Sequence, residues 1–208
     1  MSLRLSNRVR YLPLVVCLAA TACSRAALVE GTAPAGGPAH RALQVEMRER
    51  FYAVSGQSAS ALNLALLQAG PRSGGRVAHA LTEWRVRWSY VPLRRSSSCA
   101  CGSPSVELEI VTTLPRWREL GQAPDALVED WTLYMSRLRA HETGHQSLVL
   151  THGSELLVAL AELEATDCDV LREEAERAAA LLWWRFEKGH RSYDLASDYG
   201  TSFAGSDR

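Results

Sequence analysis

The first unbroken apolar stretch, "YLPLVVCLAATA" from Tyr11 to Ala22, follows Arg4, Arg8 and Arg10 and ends on small residues before Cys23. A basic start, about a dozen apolar residues and a small-residue end predict a secretion signal over residues 1–22, too short to span a bilayer. Residues 23–40, "CSRAALVEGTAPAGGPAH", are small, rich in Pro and Gly and aperiodic. They predict a flexible tether over 23–42, with one folded domain over 43–208. From there the pattern alternates. In "ALTEWRVRWSYVPL", Trp84, Val86, Trp88 and Tyr90 share one face while Glu83, Arg85 and Arg87 share the other, and "SVELEIVTTL" sets Val106, Leu108 and Ile110 against Ser105, Glu107 and Glu109. "FYAVSG" carries a shorter version. Half-buried strands of this kind pair antiparallel by default, so a small antiparallel sheet is expected.

After "GQAPDA", where Asp125 is the candidate N-cap, the period becomes helical. Leu127, Trp131, Tyr134, Leu138, His141, His145, Leu148 and His152 fall at alternating steps of four and three, one continuous stripe. A second helix is predicted from about Asp169 to Lys188, with Leu171, Ala175, Ala178, Leu182 and Phe186 inward and Gly189 as its C-cap. The tail "HRSYDLASDYGTSFAGSDR" offers no period, and there is no internal repeat. The fold class is α+β, with the sheet packed on two long helices.

Composition changes this picture only at the edges. The 208 residues are 47% hydrophobic, which fits a globular domain. Basic and acidic groups balance at 23 each, and removing residues 1–22 takes away only the three arginines, leaving 20 against 23. A mildly acidic body gives no basis for nucleic-acid binding. The segment "LAATAC" suits ordinary signal cleavage after Ala22, and with Cys23 it also resembles a lipobox in which Cys23 is lipidated. Either route exports the chain, to the periplasm, the outer membrane or the medium, with a membrane reached only through that anchor. Of the remaining cysteines, Cys168 is expected to pair with Cys99 or Cys101 in an oxidising compartment. A Cys-x-Cys metal site is the weaker reading, since neither a fourth Cys nor a nearby His completes it.

The chemistry lies in "HETGH", His141 to His145. Two imidazoles one helical turn apart can reach one zinc ion at about 2 Å. Glu142 sits beside that ion, where a general base takes a proton from the water the ion acidifies. Chance would place His-Glu-x-x-His in such a chain on the order of once in a hundred sequences, so the motif is informative. The plain alternative is a hydrogen-bonded core of histidines and tryptophans without metal. His152 lies about 10 Å further along the same helix and cannot share the ion, so it is expected to support the site or the core. The third ligand must come from the tail, where His190, Asp194, Asp198 and Tyr199 are candidates.

The strings "YAVSG", "GPRSGGRVAHALTEWRVRWSY", "LPRW", "WTLYMSRLRAHETGH" and "YDLASDYG" occur in the order found in the bacterial predicted secreted zinc-dependent proteases, a family catalogued as a domain of unknown function. The resemblance runs from Phe51 to Gly205, and its most specific element joins Trp131, Tyr134, Leu138, His141, Glu142 and His145. The C-terminal signature of that family resembles Tyr-Asp-x-x-Thr-x-His-Gly, whose His is the natural third ligand. Here Ser197 stands for the Thr and Tyr199 for the His. The resemblance implies a zincin-like fold and a monomeric zinc metallopeptidase with one ion, acting on a peptide or protein substrate. Tyr199 then completes the sphere as phenolate, a divalent cation lowering its pKa from about 10. Asp198 or His190 are the alternatives, and Asp194 is expected to hold an imidazole N–H. A non-catalytic envelope module keeping the fold without a third ligand is the competing expectation.

Overall fold

The computed structural model describes residues 42–73, 75–197 and 203. The signal, the tether up to residue 41, Cys23, Asp198 and Tyr199 lie outside them, and Ala42, expected to end the tether, opens the first strand. In chain order the elements are β1 (Ala42–Val54), α1 (Ala59–Ala69), β2 (Arg72–Ser73), β3 (Arg76–Val77), β4 (Leu81–Arg94), β5 (Cys99–Trp117), α2 (Asp125–Glu162), β6 (Glu164–Ala165) and α3 (Cys168–Ala196). The architecture is α+β, a small sheet with three helices. No described helix is long and apolar enough to cross a membrane.

The main sheet has the order β1-β5-β4, with β6 added at the start of β5. Its β4/β5 hairpin is antiparallel, Trp84 opposite Ile110 and Thr82 opposite Thr112. The β1/β5 pair is parallel, Leu43 opposite Val106 and Phe51 opposite Leu114. The expected all-antiparallel sheet is therefore a mixed one. Alternation fixes which side chains share a face, but strand direction depends on the connection, and α1, the β2/β3 hairpin and β4 return the chain so that β5 runs alongside β1.

α2 is 38 residues long, roughly 57 Å, and lies on the inner face of the sheet. Trp131, Tyr134 and Leu138 pack with Val54, Leu114 and Trp117, while Val149, Leu156 and Leu160 pack with Val106, Leu108 and Ile110. Gly153 permits this close approach, since a Cβ there would come within 2.7 Å of Leu108. The buried stripe runs on through Val149 and Gly153 rather than Leu148 and His152.

α3 begins at an Asp167 N-cap whose carboxylate accepts from Asp169 N and Val170 N at 2.9 Å. It does not stop at Gly189 but continues two turns to Ala196. A helical Gly costs only about 1 kcal/mol relative to Ala, less than the packing gained by the residues beyond it. Cys99 and Cys168 form a disulfide that ties the start of β5 to the start of α3, and Cys101 is a buried free thiol. Closing a separation of 69 residues stabilises by on the order of 4 kcal/mol in the chain-entropy picture.

Candidate metal centre

The centre forms where one face of α2 meets one face of α3. From α2 come His141, Glu142 and His145, all buried. From α3 come His190, Tyr193, Asp194 and, at its C-cap, Ser197. These four stand at i, i+3, i+4 and i+7, a single helical face. A Cβ on Gly144 would lie 2.1 Å from the Tyr193 hydroxyl, so the absence of a side chain there lets the helices close. The Tyr193 ring then stacks on His141, centroids 5.2 Å apart, and meets His145 edge-on at 5.1 Å.

Three donor atoms converge. His141 Nε2 and His145 Nε2 are 3.1 Å apart, and Asp194 Oδ1 lies 2.8 Å from His145 Nε2 and 3.4 Å from His141 Nε2. Among the described residues these three form the group arranged to hold a metal ion. A tetrahedral zinc with bonds of about 2.0–2.1 Å would set its ligand atoms about 3.4 Å apart, so the fit needs only a slight expansion.

Proton positions follow from the hydrogen bonds. Ser197 Oγ donates its one proton to the Tyr193 carbonyl at 2.6 Å, so it must accept from His141 Nδ1 at 3.0 Å. A neutral His141 therefore presents a lone pair at Nε2. His145 Nδ1 lies 2.8 Å from His190 Nδ1, and when an ion occupies Nε2 the His145 proton resides on Nδ1 and is donated to His190. Two lone pairs and a carboxylate oxygen facing each other require a positive charge between them. Without an ion, a proton takes that place, donated toward Asp194. Burial pushes the Asp194 carboxyl up, but the hydrogen bonds and charge of His141 and His145 outweigh it and hold the group at about 2.

His190 is fully buried, 0% exposed, with Trp84 stacked on it at 4.1 Å and Phe186 edge-on at 4.4 Å. Burial, helped by the neighbouring His145, pushes its imidazole down to about 3. It stays neutral and able to accept. Its Nε2 and the Trp84 Nε1 have no hydrogen-bond partner among the described residues.

Glu142 is held from the sheet. Thr82 Oγ1 donates to its Oε2 at 2.6 Å, Thr112 Oγ1 lies 3.0 Å from Thr82 Oγ1, and Gln146 Nε2 donates to Thr112 at 2.9 Å. Since Thr82 has one proton and gives it to Glu142, Thr112 donates to Thr82, and the relay runs one way toward the carboxylate. Burial pushes the Glu142 carboxyl above the usual carboxylate range, against the Thr82 hydrogen bond and the charges of His145 and His141.

The structure thus brings together His141, Glu142, His145, His190 and Asp194 from the sequence candidates. Asp194, expected behind an imidazole, stands beside the two Nε2 atoms, and His190, an alternative ligand, stands behind His145. His152 lies two turns away, bonded to Glu155 Oε2 at 3.0 Å and edge-on to Phe186. Tyr199 and Asp198 fall outside the described residues. Of the two disulfide partners proposed for Cys168, Cys99 is the one bonded. The sequence reading missed Thr82, Thr112, Gln146 and Tyr193. Thr82 was readable as the polar member of an apolar strand face, and Tyr193 from its helical spacing to His190 and Ser197.

Residues 49–200, well over half of the chain, match the family described as "Bacterial protein of unknown function (DUF922)". No curated protein and no solved structure matches. With its paired histidines, buried carboxylate and contributing α3 face all inside the matched span, the chain belongs to this bacterial family of unknown function.

Proposed function

We propose that this chain is an exported zinc metallopeptidase in which His141, His145 and Asp194 hold one ion and Glu142 is the general base. The observation that carries the reading is the convergence of two imidazole Nε2 atoms and one carboxylate oxygen within 2.8–3.4 Å of each other, with a buried glutamate on the adjoining residue. When bound, zinc supplies Lewis acidity, polarising a substrate carbonyl and lowering the pKa of water toward 7. The chain's own groups do the rest. Glu142, its Oε2 fixed by Thr82, takes a proton from the attacking water and returns it to the leaving amine. Its pKa, raised by burial, suits both halves of that cycle, because a carboxylate of raised pKa takes up a proton more readily than a solvated one and can then pass it on. His190 and Ser197 hold the two imidazoles in the orientation that aims Nε2 inward, and Tyr193 packs against both rings and shields them from solvent. The peptide substrate and zincin-like fold come from the motif resemblance, and export from the apolar segment before Cys23.

A non-catalytic envelope module is the second reading, favoured by Tyr199 in place of the family histidine. Glu142→Gln decides between them. In a peptidase it should keep one zinc per chain by elemental analysis and lose hydrolysis of a casein or mixed-peptide substrate by at least about 100-fold. Wild-type protein that binds zinc but cleaves nothing, or hydrolysis unchanged in Glu142→Gln, would remove the peptidase assignment.

A further inference from the structure

β1 is an edge strand of 13 residues, and among the described residues nothing pairs with its outer edge. Its residues from Gln44 to Phe51 are exposed. Its register with β5 assigns the faces. Leu43, Val45, Met47, Glu49 and Phe51 lie on the inner face, beside Val106 to Leu114, and Gln44, Glu46, Arg48 and Arg50 lie on the outer face. Val45, Met47 and Phe51 are 42%, 48% and 40% exposed, an apolar row along an open edge. Long edges of this kind are normally capped or broken, because their free N–H and C=O groups pair with any available strand.

We propose that this edge pairs antiparallel with the β1 edge of a second copy of the chain, about a two-fold axis through Met47. A two-fold axis normal to the sheet keeps each side chain on its face, so paired residue numbers must have an even sum. With the axis at Met47, Met47 meets its own copy, Leu43 meets Phe51, Glu46 meets Arg48 and Gln44 meets Arg50. No like charges stand opposite. Moving the axis to Glu49 sets Arg48 against Arg50 and Glu49 against itself, and moving it to Arg48 sets Arg48 against itself.

The rows across the sheet complete the case. One row reads Arg85, Glu109, Glu46, and Arg85 reaches Glu109 at 2.6 Å, leaving Glu46 next to a like charge with Arg48 of its own strand beside it. Pairing brings Arg48 of the second copy to the end of that row. A second row reads Arg87, Glu107, Gln44 and would end on Arg50 of the second copy. On the inner face, α2 lies over β5, so pairing sets the two α2 helices about 14 Å apart, three strand spacings. The Val45, Met47 and Phe51 rows of both copies would fill the gap between them.

Sedimentation of the purified protein from about 1 to about 100 µM tests this. A dimer is expected, converted to monomer by Met47→Arg with zinc content and circular dichroism unchanged. Met47→Cys should cross-link as a disulfide dimer under mild oxidation, because only this residue faces itself, and Val45→Cys should not. A monomer throughout the range would overturn the proposal. So would a dimer indifferent to Met47→Arg, or a monomer in which the β1 amides that point away from β5 are strongly protected from exchange, which would assign the edge to another segment of the same chain.

Discussion

α2 and α3 each give one face to the candidate metal centre, and they do so in opposite ways. α2 carries its three groups within five residues, His141, Glu142 and His145, on a stripe that stays buried from Trp131 to Leu160. α3 spreads His190, Tyr193, Asp194 and Ser197 over its last two turns, beyond a glycine, where its outward neighbours Arg191, Ser192 and Leu195 are solvated or exposed. The first face is set by its own motif, and the second exists only because the first is there to pack on. A centre of this design is half encoded locally and half assembled.

The strongest way to break the comparison is to remove one ligand from each helix. His145→Ala and Asp194→Ala should both abolish stoichiometric zinc, by elemental mass spectrometry after dialysis. If Asp194→Ala retains full zinc, the third donor is another group and α3 contributes only packing. Next comes His190→Phe, which keeps the ring between Trp84 and Phe186 but removes the acceptor for His145. Zinc affinity should fall roughly 10–100-fold in a chelator competition, with thermal stability maintained. Equal affinity would mean that His145 needs no partner.

Gly144→Ala attacks the contact between the helices rather than the ion. The added methyl must displace Tyr193, at a cost of about 1–3 kcal/mol partly offset by the better helix propensity of Ala. A lower urea midpoint is expected, and Tyr193→Phe should not rescue it, because the ring and not only its hydroxyl is in the way. The effect that is smallest at neutral pH, and grows only in acid, is a pH dependence. His190 titrates near 3 in the fold against 6.5 when unfolded, so the unfolded chain binds the extra proton. Metal-free protein should therefore lose stability as pH falls from 6.5 toward 3, by up to about 1.4 kcal/mol per pH unit, and His190→Phe should flatten that slope.

What was legible in the sequence follows the same division. The α2 stripe and the Trp84 and Val106 strand faces rest on periods that lie within single elements, and they lie where the pattern placed them, the stripe as far as His145. Three things were not legible. Gly189 reads as a stop when neighbours are ignored, and only the burial of His190 beyond it keeps the helix going. The parallel direction of β1 is decided by a connection of more than 40 residues, not by alternation. The placing of Asp194 beside the two Nε2 atoms and of His190 behind His145 depends on which side chain the α2 face can admit, a question of distance between helices that no single helix answers.

The disulfide sits at the opposite end of α3 from the three converging donor atoms, with Cys168 at its first residue and Asp194 about 39 Å along it. The first end of α3 is consequently anchored to β5 in the sheet, and its last turns are joined to the middle of α2 through whatever the three donors share. Oxidation fixes the first of these ends, and the grip at the second depends on what the three donors hold. Each end of α3 therefore answers to a different chemistry, one redox and one electrostatic.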